Sequence, residues 1–166
     1  MVDILILKNN IDKLIDDLNS KEDTVVVISS IGYIDACLYS ILKCYLLENK
    51  VTEKLLSSGS GALSSISVRN SLLFSLGLIS EEIHNDIKYL CKIRNRFAHN
   101  HFSLSFKNKD IVDLCNNFKF IYTVKNGDFE KILFNRIDHI ETRIKFIITV
   151  VFVKNYLIDV CGKIKK

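Results

Sequence analysis

The sequence predicts an all-α fold: a single-domain helical bundle of five to six helices over residues 1–166, with one small β-hairpin near residues 118–134. Three observations carry that expectation. The 166 residues include no proline and only six glycines, so little in the chain interrupts a helix. Apolar residues make up 48% of it, enough for one core at this length. Those residues also recur mainly at three- and four-residue spacing, the period of an amphipathic helix.

Taken in order, Ile4, Leu7, Ile11, Leu14, Ile15 and Leu18 define a first amphipathic helix. A second spans about residues 23–48, with Ile31, Ile34, Leu38, Leu42 and Tyr45 on its inner stripe. The small-residue run "SSGSGALSS" at Ser57–Ser65 reads as a flexible connection. It leads into "ISVRNSLLFSLGLI", a short helix ended by Gly77. Ser80 caps the next helix, and Glu81 and Glu82 in its first turn suit the positive end of the dipole. Ile83, Ile87, Leu90, Cys91, Phe97 and Ala98 carry its apolar side into "IRNRFAHN" at Ile93–Asn100. A shorter helix follows at about residues 110–117. "FKFIYTVKNGDFEKILF" alternates around Asn126–Gly127, which suits a type I′ hairpin. The last helix runs over about residues 137–160. Its β-branched run also fits a strand, but its length and flanking charges favour helix.

Composition excludes more than it assigns. A net charge of +4 gives no basis for nucleic-acid binding, and no helix-turn-helix with a basic recognition helix is visible, so specific duplex DNA binding by the chain alone is not expected. Five cysteines (Cys37, Cys44, Cys91, Cys115, Cys161) with no C-x-x-C read as reduced core residues, not a disulfide frame or a zinc site. The N-terminus lacks the features of a signal peptide. The apolar window Phe146–Val153, bracketed by Lys145 and Lys154, is too short to span a bilayer. The expected location is cytoplasmic. Gly59–Gly61 lacks the lysine and preceding strand of a phosphate-cradling loop. His99-Asn100-His101 has no neighbouring carboxylates or thiols to complete a metal site. No cofactor or metal is expected.

Three stretches, "GSGALSSISVRNSLLFSLGLIS", "EEIHNDIKYLCKIRNRFAHN" and "LSFKNKDIVDLCNNF", together resemble the mannitol operon repressor (MtlR) family of bacteria. The resemblance extends loosely from about residue 20 to 157. It implies an all-helical protein, often dimeric, that acts in transcriptional control without a DNA-reading element of its own. Ala62 stands where that family commonly has proline, and the Asn126–Gly127 hairpin is outside the family pattern. The second stretch also resembles the HEPN superfamily, whose nuclease members carry an arginine, a polar residue after it, and a histidine four to six residues on. Arg94, Asn95 and His99 match that pattern.

Two readings of this motif stand side by side. In metal-independent RNA cleavage His99 would transfer protons, Arg94 would clamp the phosphate and Asn95 would orient the substrate. A two-fold dimer would pool two motifs in one cleft. At about 100° per residue, however, Arg94 and His99 diverge by roughly 140°, whereas Asn95 and His99 share a face. Arg94 also lies eleven residues after Ile83, on the projected apolar stripe, where a cation must be paired. Asp35 lies on the stripe of the second helix, so the structural reading pairs Arg94 with Asp35 in a buried ion pair. Lys107 and Lys119, among interleaved aromatics that include Phe120, are candidate RNA contacts. The alternative puts the aromatics in the core and the lysines in water. The favoured reading is an MtlR-like regulator working through a protein partner, such as a transcription factor. The alternative is a HEPN-type ribonuclease restrained by an antitoxin. A homodimer is expected, because Phe146, Val150 and Val153 offer more apolar surface than a five- or six-helix monomer comfortably covers.

Overall fold

The computed structural model describes residues 22–99, 104–119 and 141–164. They form six helices and, among the described residues, no strand: α1 (Asp23–Tyr45), α2 (Lys50–Leu56), α3 (Ile66–Ser75), α4 (Glu81–His99), α5 (Lys109–Cys115) and α6 (Glu141–Ile164). The expected helix at residues 4–18 and the Asn126–Gly127 hairpin lie outside the described residues.

Sequence signals explain most boundaries. Asn49 caps α2, its Oδ1 accepting from the Thr52 N–H at 2.9 Å. Gly77, at φ 69°, ends α3 in a Schellman turn: Leu78 N–H donates to Leu73 C=O at 3.0 Å and Gly77 N–H to Phe74 C=O at 2.9 Å. The Ser80 hydroxyl accepts from Ile83 N–H at the start of α4. The adjacent Glu82 carboxyl is held below its usual range by its own backbone N–H, and then by Ser80.

Helices α1 and α6 form the central seam, and they run parallel. Arg143 is ion-paired with Asp23 at their N-terminal ends, and Cys161 meets Cys44 at their C-terminal ends. Helix α4 lies antiparallel to both. Tyr156 Oη accepts from Ser80 N–H at its start, and the Phe97–Phe106–Phe146 ring series joins its end to the start of α6. Phe146, Val150 and Val153 are fully buried within this one chain, so the surplus apolar face expected to drive dimerisation is already covered.

Helix α1 is, by length and composition, the one described helix long and apolar enough to cross a membrane. The same properties suit a helix buried on several sides, and here it packs against α3, α4 and α6.

The segment expected to be a flexible connection is instead a series of hydrogen-bonded turns. Leu63 N–H donates back to Leu55 C=O at 2.8 Å, and a Cβ on Gly61 would collide with that same carbonyl. Arg69 ties this segment to the bundle. Its Nε donates to Leu63 C=O at 2.7 Å, and its Nη1 to Asp35 Oδ1 at 2.6 Å.

Candidate functional site

That last contact corrects the expected Arg94–Asp35 pair. Asp35 is paired with Arg69, whose side chain is 6% exposed and also lies over the Tyr39 ring. Arg94 is exposed, and its Nη1 donates to Asn95 Oδ1 at 3.0 Å. The projection failed because the buried positions of α4, Ile83, Asp86, Ile87, Leu90, Ile93 and Phe97, run at 90, 93 and 97 in its second half, so the row that begins at Ile87 ends before Arg94. Ile93, ten residues after Ile83, occupies the buried position, and Arg94, at eleven, is exposed. Ala98, also expected on the apolar side, is exposed for the same reason.

The exposed face of α4 meets α5 in a surface cleft of about 670 Å³, lined by Lys92, Asn95, Arg96, His99, Asp110, Asp113, Leu114 and Asn117. One wall is a single stripe of α4, and the other runs along α5 and ends at Asn117, two residues past it. Positions 92, 95, 96 and 99 follow i, i+3, i+4, i+7, and positions 110, 113, 114 and 117 repeat the spacing. Asn95 and His99 are brought together here, as their shared face predicted, while Arg94 stands outside the lining. Lys92, Arg96, Asp110 and Asp113 were not singled out from the sequence. The paired polar stripes K-x-x-N-R-x-x-H and D-x-x-D-L-x-x-N were the signal that could have found them.

Buried chemistry holds the walls. Ile93 and Phe97 anchor α4 from behind, and Ile111 and Cys115 anchor α5. Asp86, fully buried on α4, accepts from the Lys119 backbone N–H at 2.8 Å, which fixes the chain leaving α5. Across the cleft, Arg96 Nε and Asp110 Oδ2 approach to 3.9 Å with both side chains about half exposed, a contact worth little in stability. The lining therefore offers two permanent cations, Lys92 and Arg96, against two carboxylates, Asp110 and Asp113. His99, Asn95 and Asn117 add adaptable hydrogen bonding. Among the described residues no cluster of three or more metal-ligating side chains occurs.

Of the candidate RNA contacts, Lys107 and Lys119 are exposed, whereas the neighbouring Phe106 and Phe118 are buried. Phe120 lies outside the described residues. Phe106 and Phe118 serve the core, so no stacking platform is formed from these two rings.

The profile of the mannitol repressor family matches residues 45–158. The chain belongs to the mannitol repressor family. The match takes in α2 to α5 and most of α6, including every residue that lines the cleft. A chain in the X-ray structure of the MtlR–HPr complex from Escherichia coli superposes with a TM-score of 0.60 at 16% identity, covering 93% of this chain and 98% of that one. The crystal structure of a possible transcriptional regulator, YggD from Shigella flexneri 2a str. 2457T, superposes with a TM-score of 0.60 at 14% identity, covering 92% and 95%. At these identities the likeness establishes the shared all-α fold. No protein of curated function matches the chain in sequence.

Proposed function

We infer that this member of the mannitol repressor family is a transcriptional regulator that works by docking a protein partner, with the α4–α5 cleft as the docking surface. The carrying observation is the cleft's charge: two cations face two carboxylates on two polar helical stripes. A balanced, mixed-charge cleft suits a polypeptide surface, where complementary charges set orientation and specificity. It suits a polyanion poorly, because Asp110 and Asp113 would repel a phosphodiester backbone. Family membership and the near-complete superposition on a chain from an MtlR–HPr complex support the reading and point to an HPr-type partner. The cytoplasm is the proposed location.

Titration calorimetry with HPr from the same organism tests this. Binding in the micromolar range is expected, as for transient regulatory contacts. Asp110→Lys and Lys92→Glu should weaken it at least tenfold while the helical circular dichroism stays unchanged. Saturating HPr with no heat, or full affinity in both variants, would refute the docking assignment.

One observation favours a second reading. Arg94 is not engaged in a core ion pair, and its guanidinium is bonded to Asn95, which shares the cleft with His99. In a HEPN-type ribonuclease, Arg94 would turn toward the phosphate and His99 would transfer the proton, with a two-fold dimer pooling two such sets. Cleavage of single-stranded RNA in EDTA, giving 2′,3′-cyclic phosphate ends and abolished by His99→Ala, would establish it.

A further inference from the structure

The α1–α6 seam carries three layers of different chemistry at nearly constant register, with direct side-chain contacts at its two ends. Asp23 meets Arg143, the Cys37 thiol neighbours the Lys154 ammonium, and Cys44 meets Cys161. The last two layers are seven residues apart on both helices, the repeat of a packed helical seam. In the final layer the Cys161 Sγ–H donates to Cys44 Sγ at 3.6 Å, so two thiols face each other with no side chain between them. Cys161 is buried, while Cys44 is partly accessible between exposed Lys43 and Tyr45. Burial pushes the Cys37 and Cys91 thiols up to about 11 and Cys115 up to about 12, which keeps them protonated and slow to oxidise.

We propose that Cys44 and Cys161 are a peroxide-responsive dithiol, a reversible disulfide site that fastens the C-terminal ends of α1 and α6 together. The accessible thiol reacts first. The Cys44 sulfur attacks one oxygen of a hydroperoxide and breaks the O–O bond, which leaves Cys44 sulfenic acid and, from hydrogen peroxide, one water. The Cys161 sulfur then attacks the Cys44 sulfur. The S–O bond breaks, a second water leaves with the Cys161 proton, and the Sγ–Sγ bond forms. The two thiols lose two electrons and two protons in total, and the peroxide takes up both. A small thiol reverses the reaction by exchange through Cys44. Arg143–Asp23 already holds the opposite ends of the helices, so the bridge would fasten both ends of the seam.

The full-length chain, reduced and then freed of reductant, is exposed to hydrogen peroxide, alkylated while unfolding and digested without reduction. A Cys44–Cys161 peptide is expected, with alkylatable thiols falling from five to three and recovering in dithiothreitol. Cys44→Ser should abolish the linked peptide, whereas Cys91→Ser should retain it. Oxidised wild-type protein should melt about 5–10 °C above the reduced form, since the bridge closes a loop of more than 100 residues, and Cys44→Ser should show no such rise. Accumulation of Cys44 sulfinic acid beside a Cys161 still open to alkylation would overturn the proposal. So would a Cys44–Cys44 link between two copies.

Discussion

The α1–α6 seam and the α4–α5 cleft are built from the same residue types and put them to opposite use. Each holds arginine or lysine, aspartate and a helix–helix contact. In the seam, Arg143 and Asp23 are largely buried, and the Asp23 carboxylate serves a second donor, the Phe106 N–H at 3.2 Å. In the cleft, Arg96 and Asp110 are both substantially exposed and stand 3.9 Å apart. A buried charge must keep its partner or the fold suffers. An exposed one exchanges water for a ligand at little cost. Burial, more than residue identity, therefore separates the structural charges of this protein from those available for recognition.

The largest expected effect breaks the seam. Asp23→Ala removes the ion-pair carboxylate of the largely buried Arg143 and the acceptor of the Phe106 N–H. Urea denaturation should show a loss of roughly 3–5 kcal/mol, a large share of a small domain's stability. A loss under 1 kcal/mol would mean that the seam tolerates loss of this ion pair as readily as the cleft does.

A gain of intermediate size is expected from Lys154, which is 3% exposed on α6. Burial holds its ammonium below the usual lysine range, with a smaller opposing effect from Cys37. The folded chain therefore binds this proton less readily than the unfolded chain. Stability should rise with pH between the lowered folded value and the ordinary lysine value near 10.5. Below that window the protein carries a buried charge at constant cost. Lys154→Met should raise the melting temperature at pH 7 by about 2–4 °C, the shift of roughly 1 kcal/mol in a chain of this size, and should flatten the alkaline rise. Differential scanning calorimetry from pH 7 to 10 reads both.

The smallest effect sharpens the cleft side. Arg94 is exposed and, among the described residues, bonded to its neighbour Asn95, so Arg94→Ala should change stability by less than about 0.5 kcal/mol. A chemical melt that shifts by 2 kcal/mol or more would show that Arg94 is structural after all.

Much of the fold was legible because local signals and the global fold agree. Gly77 ends α3 at positive φ, Ser80 starts α4, and Ile31, Ile34, Leu38 and Leu42 of the inner stripe are buried as its spacing required, whereas Tyr45, expected on the same stripe, is exposed at the end of α1. The short helix Lys50–Leu56 was passed over, although Asn49 caps it. The site was half legible. Asn95 and His99 share a wall because helical periodicity places them there, and the same rule applied to positions 92–99 and 110–117 describes both walls.

Sequence alone determined the family resemblance, the all-α architecture and which residues share a helical face, because each depends on neighbours within about one heptad. Only the tertiary structure decided partners. Asp35 could have met any buried-looking cation, and the choice of Arg69 over Arg94 depends on which positions of α4 turn inward and on where the turn before α3 is tied. The meeting of Cys44 with Cys161 likewise depends on α1 and α6 running parallel, in a register set across more than 100 residues of intervening chain. Periodicity fixes a side chain's direction around its own helix axis, but it contains no term for the neighbouring helix that direction will face.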